Sequence, residues 1–351
     1  MATLAPPREH STTDILAAGG VYLDHLEHVM QRKRTTIQDY RIMLDRHLGP
    51  FFGATPIGAI APHKVADFIA TKRRDGLAPN TVKNQLNSLH ALFKFAVRRE
   101  WAPRNPVDFV DRPPSPSSDP DIRFLDREEL EALLRAAGDD LLAPTDRALW
   151  LTAATTGLRQ GELAALRWRD VDWNARVVRV RRSFSRGQYT TPKSRRSVRA
   201  VPMPDRVAAA LARHFSQSTY QHDDELVFGH PHSGRPYDAS NMRERFKAAL
   251  ARAGLRPLRF HDLRHTYGTL MAAAGAPLRT LQGWMGHRDY KTTAVDADFA
   301  PDPSQGAAWA ERAFGSSSLD LDRVTPNDPR TTKAARWAAR SHVIGREPAN
   351  L

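Results

Sequence analysis

The chain has 351 residues, 52 lysines and arginines against 39 acidic residues, a formal net charge of +13 and no cysteine. That length favours two domains over one core, and the lack of cysteine excludes disulfide scaffolds, thiolate zinc sites, thiol nucleophiles and iron–sulfur clusters. The positive excess suits a polyanionic partner, because each cation set on a phosphate releases condensed counterions.

No apolar run reaches the ~18 residues needed to cross a bilayer, and the opening MATLAPPREH lacks the basic-then-apolar order of a signal peptide. A cytoplasmic protein with no membrane partner is therefore expected. Residues 1–14 are expected to be flexible. The block 15–110 reads as helices: Ile37, Tyr40, Leu44 and Leu48 follow Thr35 and Thr36 at helical spacing, and Val82, Leu86, Leu89, Phe93 and Val97 share one face. On another face Lys83, Asn87, His90 and Lys94 line up. Such a stripe could track a DNA groove or simply be a solvated helix face, and the periodicity weighs the two evenly. The clusters Arg32-Lys33-Arg34 and Lys72-Arg73-Arg74 tilt the balance towards DNA.

Residues 111–121, DRPPSPSSDPD, carry no large apolar side chain and read as a linker. The block 122–314 is mixed. Helical patterns surround Leu130 to Ala137 and Asp146 to Thr155. The stretch ARVVRVRRSFSRG then alternates like a strand, Gly187 provides a turn, and SVRAVPMP returns with Val198 and Val201. This predicts a small sheet with a hairpin inside a mostly helical domain. Between Arg176 and Arg199 stand eight Arg, one Lys and no acid, a density of one sign that a solvated loop rarely carries. Beyond Ala300 the pattern offers AAWAERAF as a short helix and TTKAARWAARSHVI as a further one, and most of the tail 315–351 is expected to be mobile.

Chemistry gathers in TGLRQGEL (156–163), HDLRHT (261–266) and GWMGHRDYKTTAVDADFAP (283–301). Arg159 lies at a break between helical segments, where guanidinium and backbone can both reach a ligand. His261 and Arg264, three apart, share one helix face. Two Arg forks can each grip a phosphate, with imidazoles alongside to move protons. Such a cluster suits metal-free phosphoryl transfer, although either Arg alone would more often be an ordinary ion-paired residue. A zinc site on His261 and His265 is disfavoured, since Asp262 stands where a zinc protease has Glu and no third ligand follows at a suitable spacing. No metal or cofactor is expected.

Taken in order, TGLRQGEL, a basic hairpin with a Lys, HDLRHT, and GH followed by TT resemble the tyrosine recombinase family, also called phage integrases, over roughly residues 15–312. The resemblance implies a mainly α fold with a small β-sheet, in two domains: a helical SAM-like core-binding domain and an α+β catalytic domain. It implies catalytic roles for Arg159, Glu162, Lys193, His261, Arg264 and His287, with Lys193 as the acid for the departing 5′ oxygen. For DNA contacts, the cationic segments single out Arg32, Lys33, Arg34, Lys72, Arg73, Lys83, Asn87, Lys94, Arg195 and Arg196. The implied partners are double-stranded DNA at attachment-type sites, further copies of the chain in a synaptic tetramer, and accessory DNA-bending or directionality proteins.

One position departs from the family pattern. The nucleophilic Tyr is expected nine residues after His287, and Asp296 stands there. A carboxylate is shorter than a phenol and brings negative charge towards a phosphate, so strand cleavage is expected to be disabled. Tyr290 lies six residues too early to substitute. The resemblance thus implies either a site-specific recombinase disabled at one residue, or a naturally non-catalytic DNA-binding member that occupies recombination sites.

Overall fold

The computed structural model describes residues 12–114, 123–190, 199–287 and 289–298. These fall into two compact units, with the boundary at Asp121 and Ile122; residues 184–190 cluster with the first unit rather than with the strands that flank them in sequence.

The first unit is helical: α1 (Ile15–Asp24), α2 (Arg34–Met43), the short α3 (Gly49–Phe52), α4 (Pro62–Arg74) and α5 (Pro79–Arg98). The Asp14 carboxylate caps α1 by accepting from the Ala17 amide at 2.8 Å, satisfying a donor the first turn cannot use internally. Helix α2 opens at Arg34, one residue ahead of the Thr pair, and its apolar stripe continues through a π-helical turn at Leu44–Leu48. On α5, Val82, Leu86, Leu89 and Phe93 are fully buried. They form one core with Ile15, Leu48, Phe52 and Phe68, the burial that holds the short helices together.

The second unit contains α6 (Arg127–Arg135), α7 (Ala143–Thr156), α8 (Gln160–Leu163), β1 (Val171–Asp172), β2 (Val177–Val180) and β5 (Arg199–Pro202); between β2 and β5 the chain forms β3 (Ser183–Ser185) and β4 (Gln188–Thr190), whose residues 184–190 belong to the first unit. The second unit ends with α9 (Asp205–Gln217), α10 (Ala239–Arg252), α11 (Asp262–Ala273), α12 (Leu278–Met285) and α13 (Tyr290–Asp298). Asp126 and Glu129 close a capping box at the start of α6.

Strands β1, β2 and β5 form an antiparallel sheet in which Val178 faces Val201 and Val180 faces Arg199. The single hairpin expected from sequence is thus two small sheets. Strand β2 ends at Val180, and β3 and β4 pair separately around Arg186 and Gly187, whose φ values of 50° and 75° suit a two-residue hairpin turn. At that turn Arg186 donates to the Thr35 carbonyl (3.2 Å) and to Asp39 (2.5 Å). Val178, Val180 and Val201 face a core that includes Trp150, Phe228, Tyr237 and Phe246. Among the described residues no helix is long and apolar enough to cross a membrane.

Candidate active site

Helix α7 stops at Gly157, which takes the left-handed conformation (φ 63°). A Cβ there would lie 2.4 Å from the Tyr267 ring, so both backbone and packing call for glycine. The chain leaves this stop as Leu158 and Arg159, and Arg159 forms the N-cap of α8 with Glu162 one turn on. The Glu162 carboxylate accepts from the Arg159 amide (2.8 Å) and from Arg159 Nη1 (2.9 Å).

Helix α11 begins one residue after His261, with Asp262 buried and accepting from the Arg259 amide and guanidinium. Arg264, only 3% exposed, donates to the carbonyls of Gly157 and Met285. The ring of His265 sits edge-on to that of His261, centroids 5.3 Å apart. Among the described residues no group of three or more His, Asp or Glu is placed to hold a metal.

Helix α12 ends in a left-handed Gly286 (φ 64°). Its last carbonyls, left without amide partners by the end of the helix, face the cations: Trp284 accepts from Arg199, Met285 from Arg264, and Gly286 from Arg159 Nη2 at 2.9 Å. A helix C-terminus carries partial negative charge, so this end offsets the repulsion of three clustered guanidiniums. His287 follows, its Nδ1 sharing a 2.9 Å hydrogen bond with the fully buried Thr293 hydroxyl of α13. With Thr293 as donor, Nε2 keeps the proton and can offer it to an oxygen.

Burial alone would raise the Glu162 carboxyl, but two hydrogen bonds from Arg199 and the charges of Arg199 and Arg159 outweigh it and hold the group at about 2. Desolvation, joined by Arg264 and Arg159, lowers His287 to about 3. His261 is exposed as a residue, yet crowding of its ring by protein and the charge of Arg264 lower it to about 4. Both imidazoles are thus neutral near pH 7. Burial pushes the Tyr267 phenol up to about 12, and at 3% exposure it is enclosed beneath the site.

The structure therefore brings Arg159, Glu162, His261, Arg264 and His287 onto the joined ends of α7, α8, α11 and α12. Asp296 falls in α13, which packs on α11 and α12, but its side chain lies outside the described set. Lys193, Arg195 and Arg196 also lie outside the described residues. Sequence reasoning missed Arg199 and Thr293. Arg199 had left a trace: it shares strand parity with Val201, which places an arginine on the inward face.

In the first unit, Arg32, Lys33 and Arg34 occupy the loop entering α2 and its first turn, and Lys72 and Arg73 end α4. Lys72 pairs with Asp75 at 3.6 Å. Of the α5 stripe, Lys94 is exposed and Lys83 half-buried, Asn87 accepts from Arg112 at 3.1 Å, and His90 bonds Asp108 at 3.0 Å. Part of that stripe thus serves the domain's own packing. Four arginines at the start of the basic run are similarly engaged. Arg176, Arg179 and Arg181 pair with Asp205, Asp172 and Asp170, and Arg182 donates to the Ala165 carbonyl.

Comparison with known proteins gives a consistent picture. Residues 123–297 match the model of the phage integrase family, and residues 21–100 match the phage integrase N-terminal SAM-like domain. The chain is 31% identical over 249 residues to a XerC-like tyrosine recombinase of Caldanaerobacter subterraneus, a match spanning 63% of this chain and 62% of that relative, under two thirds of its length. It is 30% identical over 260 residues to the putative prophage phiRv2 integrase of Mycobacterium tuberculosis, covering 73% of this chain and 67% of the other. In fold it is similar to the Tn1549 transposon integrase solved with transposon right-end DNA: TM-score 0.71 at 21% identity, over 87% of this chain and all of that one.

Proposed function

Because the chain belongs to the phage integrase family, we propose that it is a site-specific DNA recombinase by descent, with strand cleavage disabled at Asp296. The observation that carries this reading is the convergence of Arg159 and Arg264 with His261 and His287 in one site organised by Glu162. Two guanidiniums can neutralise the charge that builds on a phosphate under attack. Neutral imidazoles beside them donate hydrogen bonds without adding charge, and Lys193 supplies the proton for the departing 5′ oxygen.

A tyrosine at position 296 would attack the phosphorus and release the 5′ hydroxyl, keeping the bond energy in a 3′-phosphotyrosine for rejoining. Asp296 lacks that reach. Tyr267 offers no replacement, because it is enclosed and held protonated. The partners in this reading are duplex DNA at paired sites, four protomers in the synapse, and accessory DNA-bending or directionality proteins, in the cytoplasm.

The test is a nicked suicide duplex carrying a site selected from a random pool, incubated with the chain as it stands and with Asp296→Tyr and Asp296→Phe. The tyrosine variant should form a covalent protein–DNA adduct and the other two none. An adduct with the parent chain would overturn the claim that Asp296 disables cleavage. A tyrosine variant that binds the site but stays inert would favour the second reading suggested by Asp296, a DNA-binding member that occupies sites without cutting them.

A further inference from the structure

Arg199 is the first described residue after 191–198, the segment that carries Lys193, and it starts β5 on the same face as Val201. An arginine turned inward beside valines loses its hydration, a penalty that only well-formed partners offset. At 5% exposure its Nη1 and Nη2 donate to the two Glu162 oxygens at 3.0 and 2.8 Å, and its Nε donates to the Trp284 carbonyl. One planar group thus ties β5 to α8 and to the end of α12. Lysine, with a single nitrogen, could not reach both acceptors in this way.

What Arg199 grips is what grips the catalytic arginines. The Glu162 oxygen Oε1 that it shares also accepts from Arg159 Nη1. The Trp284 carbonyl directly precedes those of Met285 and Gly286, which hold Arg264 and Arg159. Gly286 permits the approach, since a Cβ there would lie 3.1 Å from Arg199 Nη1. We propose that Arg199 is a positioning residue: by fixing Glu162 and the end of α12, it holds Arg159 and Arg264 at the separation needed to grip one phosphate. It acts through those groups and not on the DNA. The inference rests on the recombinase reading for the identity of the phosphate.

Two measurements test it. In the chain as it stands, the Glu162 carboxyl can be followed by ¹³C NMR against pH, with Glu162→Gln identifying its resonance. Arg199→Met should raise that titration from about 2, with Arg199→Lys in between. An unchanged titration in Arg199→Met would overturn the proposal.

In the Asp296→Tyr background, cleavage at saturating DNA should fall by about 100-fold in Arg199→Lys, the cost of a misplacement on the order of 1 Å, with site affinity held within about threefold. The double change Arg199→Met with Glu162→Gln removes both buried charges and guards against simple misfolding. It should fold and bind, yet cleave as poorly. Cleavage restored by that pair would show Arg199 to be a stabilising ion pair alone, and a parallel loss of binding would equally reject the proposal. Should the Asp296→Tyr parent form no adduct, the function reading fails, while NMR still decides whether Arg199 holds Glu162.

Discussion

A histidine placed among arginines has its charged form opposed from several sides, and His287 and His261 show the consequence for pH. Burial is the larger cause for both; beyond it, His287 faces Arg264, Arg159, His265 and Arg199, and His261 faces Arg264, His265 and Arg159, with Asp262 opposing the shift. Both are lowered in the folded chain, to about 3 and about 4, against ~6.5 when unfolded. Across that window the unfolded chain binds more protons than the folded one, so each group contributes stability that is full above pH ~6.5 and is lost as pH falls towards its folded value. Replacing His287 with glutamine should flatten the stability profile between pH ~6.5 and ~4 by at most ~1.4 kcal/mol per pH unit, and replacing the exposed His261 should flatten it less, because solvent screens its neighbours' charges. Urea midpoints measured across that range would check it, and identical slopes in parent and variants would show that the imidazoles titrate normally.

Two helix ends set the geometry of the site, and each depends on a glycine with positive φ. Alanine at Gly157 would combine left-handed strain with a Cβ 2.4 Å from the Tyr267 ring, costing roughly 2 to 4 kcal/mol. Alanine at Gly286 meets a side chain that can yield, Arg199 at 3.1 Å, and should cost about 1 to 2 kcal/mol. Urea unfolding of both variants checks the order, and equal costs would mean that the Tyr267 contact relaxes freely. The first of these stops was legible in the sequence, where Arg159 of TGLR lies at a break between helical segments; the stop at Gly286 was not. The apolar faces of α2 and α5 and the shared face of His261 and Arg264 were legible because each is written in local spacing; that Arg159 and His287 join that pair was implied only by the family resemblance. Arg199, Thr293 and the carbonyls of α12 were not legible, because their meaning comes from segments far apart in the chain. The partners of three arginines in the basic run were hidden in the same way, since Asp170, Asp172 and Asp205, which pair with Arg181, Arg179 and Arg176, lie outside the counted window.

At the scale of the whole molecule, the net charge of +13 overstates what is free to meet a phosphate backbone, because many guanidiniums already have partners. Each phosphate neutralised by a cation adds about 0.9 to the slope of log affinity against log salt concentration on duplex DNA. Arg73 and Lys94 are exposed on the first unit, and alanine at either should lower the slope by about 0.9 while weakening binding to all sequences alike. Arg179 is held by Asp172 at 2.7 Å, so Arg179→Ala should leave the slope nearly unchanged although it removes the same formal charge. Binding isotherms for the three variants between ~50 and ~200 mM salt would separate the two effects. If Arg179→Ala lowered the slope as much as Arg73→Ala, DNA would have to break the Asp172 pair on binding, and affinity would follow net charge instead of the cations that the fold leaves unengaged.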